Sequence, residues 1–280
     1  MIFANYRIET LPFIPKIRDH EIERKYSARF LGVIINDKLT WKDHTLAVKA
    51  KMSRYVGILF KLKNFLPLPA RKNIFYSFVQ SHLHYCSLVW GLGAKANIEP
   101  LFAEQKKAIR SLIPGYNLNY YKNGMTPCHT KPFFTDNIIP TLPSIILTND
   151  FIFMNKLYNF KHCIPSSVAS IISPSAPKPG EINENNASWL HTHSTLQQRN
   201  TLSFKGPLFF TKYKSEILAH CESINLPINS FKTQVKSFVY KLQTEGRPDV
   251  WEGKNTPLYY VPGLPRICRK NATQVSYIYE

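Results

Sequence analysis

The chain has 280 residues, of which 44% are apolar, so it can bury a core and is not a wholly disordered protein. Thirty-six Lys and Arg against 18 Asp and Glu leave a net charge of +18, which favours polyanionic partners such as nucleic acid or acidic lipid. The first residues lack a charged leader followed by an apolar run, and no segment approaches the roughly 18 consecutive apolar residues of a membrane-spanning helix. We therefore expect a soluble intracellular protein, nuclear or cytoplasmic, with no membrane partner.

The N-terminal region predicts a small β element. Residues 16 to 26 form two short segments around Asp19, which is typical of a hairpin tip. The apolar run from Phe30 to Ile35 is rich in β-branched residues and predicts a strand covered on both faces. Gly32 inside this run indicates a bulge or a close backbone approach, and a packing reason is favoured over a ligand.

A long helix is predicted next, with Thr40 as its N-cap, Asp43 close to a capping-box position and Pro67 as its stop. Its apolar residues recur at spacings of three and four and form one stripe, which comprises Trp41, Thr45, Val48, Met52, Tyr55, Leu59, Leu62 and Leu66. The charged residues between them are cationic, with Asp43 as the single acid: Lys42, Lys49, Lys51, Arg54, Lys61 and Lys63. An ordinary solvated face mixes signs, so this run favours phosphate binding over solubilising charge.

Four further helices are expected, over about 70–90, 97–113, 143–162 and 230–243. The aromatic residues of the 70–90 helix suggest burial against the first helix, and Asn97 is a good N-cap. Residues 114 to 142 are loop-like. A connecting region with one helix, 116–163, precedes a Pro/Ser/Asn-rich linker, 164–194, and a C-terminal region with one helix, 195–280. The fold class is mainly α with a small N-terminal β element (α+β).

Residues that carry chemistry are scattered. The aspartates, Asp19, Asp37, Asp43, Asp136, Asp150 and Asp249, include no Asp-Asp or Asp-x-Asp pair of the kind that two-metal chemistry uses. Zinc ligands could come from Cys128-His129, His162-Cys163 and His220-Cys221 with His191 and His193, but adjacent residues point in different directions and seldom serve one ion. We expect no metal, no cofactor and no self-contained active site.

Four segments in this order resemble one family: FLGVIINDKLTWKDH, FKLKNFLP, YSFVQSHLHYCSLVWG and QKKAIRSLIPG. They resemble the C-terminal part of reverse transcriptases of LINE-type (non-LTR) retrotransposons, in particular the jockey-like branch. The resemblance covers residues 26–115 and returns faintly over 195–243 in QQRN, INLP and SFKTQVKSF. It implies a palm-edge remnant with a primer-grip-like strand over 1–38 and a thumb-like helical region over 39–115.

The resemblance also implies a partner. Phe30, Leu31 and Gly32 would lie near the primer backbone, and the thumb would hold a template-primer duplex through phosphate contacts rather than base readout. The candidate contacts are Lys42, Lys49, Arg54, Lys61, Lys63, Arg71 and Lys72. Trp41, Tyr55 and Tyr85 are interpreted as structural, because aromatic residues at helical spacing are more often core.

In this family the fingers, the Mg²⁺-binding aspartates and a Tyr/Phe-x-Asp-Asp motif lie upstream of the similar stretch. The resemblance therefore implies a truncated product of an RNA-directed DNA polymerase family that binds nucleic acid nonspecifically and does not polymerise alone. The missing polymerase half would be a further partner. Two other readings stay open: a domesticated helical scaffold that binds protein through the Trp41-to-Leu66 or Ile74-to-Trp90 surface, and a zinc-dependent enzyme.

Overall fold

A computed structural model of the protein describes residues 16–18, 20–21, 25–113, 130–159, 164–168, 213, 216–217, 219–220, 227–246, 266–267 and 277–278. These residues form long helices and three two-stranded sheets, and the prediction of a mainly α fold with a small N-terminal β element is confirmed. Within these ranges, none of the helices has the length and apolar character that crossing a bilayer requires.

The N-terminal strands form two antiparallel hairpins. Strand β1 (Lys16–Ile17) pairs with β2 (His20–Glu21), which agrees with the predicted hairpin, and β3 (Ser27–Phe30) pairs with β4 (Val33–Asn36). Near the C-terminus, β5 (Arg266–Ile267) pairs with β6 (Tyr277–Ile278). The predicted buried strand from Phe30 to Ile35 is wrong, because this run holds the end of β3, a turn and the start of β4.

The turn between β3 and β4 explains Gly32. Leu31 and Gly32 have φ values of 45° and 80°, and they link the paired residues Phe30 and Val33. Two successive left-handed residues define a type I′ turn, which matches the twist of a two-residue hairpin and favours glycine. All of β3 is exposed, and Phe30 and Leu31 are 64% and 74% exposed, so the turn projects two apolar side chains into solvent.

Helix α1 (Lys42–Leu62) carries the predicted stripe, of which Thr45, Val48, Met52 and Leu59 are buried. The start of the helix differs from the prediction. The capping residue is Trp41, with φ 61° and no capping side-chain bond. Thr40 and Asp43 do not form a capping box; the side chain of Asn36 binds both, with its Nδ2 2.7 Å from Thr40 Oγ1 and 3.2 Å from Asp43 Oδ2. This amide fixes the connection from β4 to α1.

The second predicted helix is interrupted. Helix α2 (Leu68–Phe75) continues through a π-helical turn (Tyr76–Gln80) into α3 (Ser81–His84), and α4 (Ser87–Trp90) follows after a break. The wider turn lets the neighbours Val79 and Gln80 both face the core. Tyr85 is extended and Cys86 has φ 50°, so the chain changes direction there. Phe78, Tyr85 and Val89 are therefore exposed, which corrects their predicted burial.

The remaining helices are α5 (Lys95–Leu112), α6 (Lys131–Asp136), α7 (Leu142–Asn159) and α8 (Ile228–Thr244). The predicted helices near 97–113, 143–162 and 230–243 are thus present. Helix α5 begins before Asn97, whose side chain donates instead to the Thr40 carbonyl at 2.6 Å. Helix α6 lies within residues 114–142, which were predicted to be loop.

One hydrophobic cluster joins side chains of α1, α2, α5, α7 and α8, from Val48 to Leu242. Three buried glutamines fix the loop between α6 and α7 to this core. Gln105 Nε2 donates to the Pro140 carbonyl at 3.0 Å, where Gln80 also donates, and Gln243 Nε2 donates to the Ile139 carbonyl at 2.9 Å. The predicted boundaries near 115, 163 and 194 fall in or beside segments outside the described ranges, and they stay predictions.

Candidate nucleic-acid interface

The β3–β4 hairpin is attached to α1 through His44. The backbone N–H of Ile34 donates to His44 Nδ1 at 3.3 Å, and the imidazole, 4% exposed, lies tilted against Trp90 with 5.8 Å between ring centroids. Burial, and then the positive charge of Lys51, lower the pKa of His44 below its ordinary value of 6.5. The ring is therefore neutral at pH 7 and keeps the lone pair that this hydrogen bond needs.

The tip of the same hairpin is attached to the end of α3. The Tyr85 hydroxyl donates to the Leu31 carbonyl at 2.5 Å, and Trp90 Nε1 donates to the Tyr85 carbonyl at 2.8 Å. A Cβ at Gly32 would lie 3.4 Å from Tyr85 Cε1. The break at Tyr85 thus places its ring against the turn, while buried Trp90 holds the backbone of the break.

A small pocket lies between this hairpin, α1 and α3. Its volume of about 50 Å³ has room for a single small group and not for a base. Its lining residues are Arg29, Gly32, Ile34, His44, Ala47, Val48, Lys51, His82 and Tyr85. This lining contains one guanidinium, one ammonium and two imidazoles, and none of its members is a carboxylate. Burial and then Lys51 lower the pKa of His82, as they do for His44, so the Lys51 ammonium acts on both rings.

Aromatic rings extend the pocket wall along α1. Tyr55 stacks on Phe78 with 4.9 Å between centroids and 24° between planes, and it lies 6.0 Å from the His82 ring at 29°. Phe78 is exposed and Tyr55 half-buried. The interpretation of Tyr55 as structural stays open, because exposed aromatic faces beside cations are also the surfaces on which bases stack.

The predicted cations of α1 do not share one side of the helix. At about 100° per residue, Lys42 and Lys49 lie on nearly the same line, and so do Arg54 and Lys61, but Arg54 is about 140° from Lys49. Lys51 lies about 180° from Lys42 by the same rule. Lys51 lines the hairpin pocket, and Arg54 and Lys61 lie about 60° and 80° from it around the helix. We call the half of α1 that contains these three residues the hairpin side.

The other predicted contacts lie further along the chain. Arg71 is only 7% exposed, and its Nη1 donates to the Ser111 carbonyl at 2.9 Å, so it holds α2 against α5 and does not belong to the surface. Lys63 and Lys72 are half-buried at the end of α1 and on α2. Phe30, Leu31 and Gly32 form the exposed tip of the hairpin. Their predicted position near a primer backbone requires such exposure and stays a prediction.

Sequence reasoning missed Arg29, Lys51, His82 and Tyr85 as site residues. Lys51 belongs to the cationic run of α1. Its position about 180° around the helix from Lys42 was a signal in the sequence that the two lysines lie on opposite sides of α1. His82 and Tyr85 are three residues apart, which is a helical spacing, but no glycine or proline marks the break that exposes Tyr85. Arg29 became visible only when the hairpin turn was located.

Gly32 and Gly57 provide a matched pair of substitutions. Gly32→Ala is expected to weaken the β3–β4 hairpin by about 1 kcal/mol or more, because alanine is unfavourable at a left-handed φ of 80°. Gly57→Ala is expected to stabilise the protein by up to about 1 kcal/mol, because Gly57 is in α1 and a Cβ there meets nothing within 4 Å. Amide exchange of Val33 and Phe30 and urea unfolding measure the two effects. Equal responses of the two variants would contradict the assigned turn.

The described residues contain no group of three or more His, Cys, Asp or Glu placed to hold a metal ion. Of the proposed zinc ligands, only His220 is described; Cys128, His129, His162, Cys163, His191, His193 and Cys221 lie outside the described residues. The zinc reading therefore gains no support from the part of the chain whose placement is described.

These features define a mainly α protein in which an N-terminal hairpin and two helices enclose a cationic pocket. Comparison of the chain with protein-family models, with curated proteins and with solved structures found no match. The likeness to LINE-type reverse transcriptases thus depends on the residues of this chain alone.

Proposed function

We propose that this protein binds nucleic-acid duplexes without reading their sequence, as a relative of the thumb of LINE-type reverse transcriptases. The binding surface comprises Arg29, Lys51, Arg54 and Lys61 together with the hairpin tip; we call it the grip surface. The observation that carries the proposal is that Arg29 and Lys51 line a pocket without carboxylates, and that Arg54 and Lys61 follow Lys51 within about 80° around α1. A surface that binds successive phosphates needs cationic side chains, without acidic ones among them, on rigid elements.

The dimensions of the grip surface fit this role. Ten residues separate Lys51 from Lys61, which corresponds to about 15 Å along the helix axis. Five successive phosphates of one strand, four steps of about 3.4 Å, span nearly the same length. Phe30 and Leu31 at the exposed turn add apolar contact that does not depend on base identity.

The proposal does not include nucleotide incorporation by this chain alone. Polymerases of the parent family use Mg²⁺ held by converging carboxylates. Here Asp43 Oδ2 accepts a hydrogen bond from Asn36 near the start of α1, whereas Asp150 is fully buried in α7, so these donors do not fit a two-metal site. We propose that the carboxylates for polymerisation come from a second polypeptide, the missing polymerase half.

Duplex binding at graded salt tests the proposal. We expect the full chain to bind a 20-base-pair DNA duplex and an RNA–DNA hybrid of two unrelated sequences with similar affinity. Four phosphate contacts predict a log-log slope of roughly −3.6 with salt on DNA, or about a 150-fold loss of affinity between 50 and 200 mM. Fluorescence anisotropy measures both quantities. Undetectable binding at 50 mM salt, or a slope near zero, would contradict the proposed function.

A protein-binding scaffold is the second candidate. The Trp41-to-Leu66 stripe is largely turned into the core, but Tyr76, Phe78, Tyr85 and Val89 on the other predicted surface are exposed. Exposed apolar residues of this size commonly mark an interaction site. Association through them would depend only weakly on salt, so the same salt series separates the two candidates.

A further inference from the structure

We propose that the pocket behind the β3–β4 turn is an oxyanion site that takes up a proton through His82 when it is filled. A phosphate group would then bind it more tightly at pH 6 than at pH 8. This inference rests on the proposed function only in assigning the oxyanion to a nucleic-acid phosphate; the site itself can be tested with a free ion.

The lining of the pocket supplies donors for an oxyanion. Arg29 reaches it from β3, Lys51 from α1 and His82 from α3, so three different elements bring cationic or cationisable groups to one cavity. Its volume of about 50 Å³ suits one tetrahedral anion rather than a nucleotide. Guanidinium and ammonium groups are the usual protein partners of such ions.

His82 is the group that can exchange a proton on binding. Burial and the nearby Lys51 charge hold the pKa of His82 below its ordinary value, so the empty pocket has a neutral imidazole at pH 7. An anion between Lys51 and His82 offsets the Lys51 charge and accepts a hydrogen bond from the imidazolium, which favours the protonated ring. By linkage, an anion that raises the pKa of His82 binds more tightly as the pH falls.

The other titratable groups of the pocket do not replace His82 in this role. His44 would lose the Ile34 N–H bond on protonation, because an imidazolium has no acceptor nitrogen. The pKa of Tyr85 is raised above its ordinary value of 10, chiefly by Cys86, so this phenol stays neutral between pH 6 and 8. Among the residues that line the pocket, none is acidic.

Histidine NMR of the full chain with sulfate tests the site directly. Sulfate is a tetrahedral dianion whose charge is constant between pH 5.5 and 8.5, and chloride at equal ionic strength is the control. We expect sulfate to raise the titration midpoint of His82 by about one pH unit, which corresponds to about tenfold tighter binding of the ion to the protonated form. The midpoint of His84, which does not line the pocket, is expected not to move.

Two variants extend the test to nucleic acid. His82→Gln is expected to abolish the gain in duplex affinity between pH 8 and pH 6. His84→Gln is the matched control, because the pKa of His84 is lowered first by burial and then by Lys236, and His84 does not line the pocket. This control is expected to keep the pH dependence.

The outcomes separate the two proposals. Salt-dependent duplex binding without any pH dependence, and no shift of His82 with sulfate, would overturn the oxyanion site and leave the proposed function standing. A sulfate-dependent shift of His82 without duplex binding would support the site and reject the proposed function. Equal shifts in sulfate and chloride would also overturn the site, since they indicate screening rather than binding.

Discussion

Asp150→Asn is expected to stabilise the protein at pH 7 by about 2 to 4 kcal/mol. Asp150 is fully buried in α7, neither of its carboxyl oxygens has a hydrogen-bond partner among the described residues, and burial raises its pKa to about 8. The folded protein therefore holds the neutral acid at pH 7, whereas the unfolded chain, with an ordinary pKa of 3.8, ionises it. That ionisation favours unfolding, and asparagine removes it.

The sign of the pH dependence gives a second readout. Because the folded-state pKa of Asp150 is raised, its contribution lowers stability as the pH rises from about 4 to about 8. Urea unfolding at pH 5 and pH 7 is expected to show that the stabilisation by Asp150→Asn is larger at pH 7. The histidines with lowered pKa values, His44, His82 and His84, act in the opposite direction but contribute equally to both proteins.

Asp136→Asn is the control, because Asp136 is exposed on α6 and the change should alter stability by less than about 0.5 kcal/mol. In Asp150→Asn the new amide is as buried as the neutral carboxyl that it replaces. The gain in stability therefore comes only from removing the ionisation of this side chain in the unfolded state. An Asp150→Asn variant less stable than the parent at pH 7 would contradict the unpartnered carboxyl.

Reversing charge on the hairpin side of α1 is expected to remove most duplex binding. Lys51→Glu combined with Arg54→Glu eliminates two of the four proposed phosphate contacts, which predicts a salt slope smaller by about 1.8 and roughly 50-fold weaker binding at 0.1 M salt. The cause is local: these side chains lie on the side of α1 that carries the pocket and the hairpin.

Lys42→Glu combined with Lys49→Glu is the matched control. It makes the same change in net charge on the same helix, but on the line about 120° to 180° away from Arg54 and Lys51. We expect less than about a fivefold loss and an unchanged salt slope, since only long-range, screened electrostatics is affected. Equal losses in the two double variants would mean that net charge, and not the grip surface, determines binding. Melting temperatures establish that both variants are folded.

The helices were predictable where apolar residues recur at helical spacing along one face. The stripe through Val48, Met52 and Leu59 and the equivalent stripe of α8 are regular enough that burial on one face follows from spacing alone. The α6–α7 loop was not predictable in the same way. Gln105 and Gln243 are polar residues without a periodic pattern, and their partners are backbone groups distant in sequence.

The prediction of the site failed at two local conformations, the turn at Gly32 and the helix break at Tyr85. Apolar residues on both sides of Gly32 imitate one continuous strand, and only the left-handed φ values reveal a turn. The chain leaves the helix at Tyr85 and Cys86 without glycine or proline, because hydrogen bonds from Tyr85 to Leu31 and from Trp90 to Tyr85 offset the cost. The cationic run was therefore found, but the side of α1 that matters depends on the hairpin.

Which side of α1 faces nucleic acid is measured most directly by lysine acetylation of the full chain, with and without a saturating 20-base-pair duplex, followed by mass spectrometry. We predict that the duplex protects Lys51 and Lys61, on the hairpin side, and leaves Lys42 and Lys49 as reactive as in the free protein. Protection of Lys42 and Lys49 with continued acetylation of Lys51 and Lys61 would contradict the grip surface.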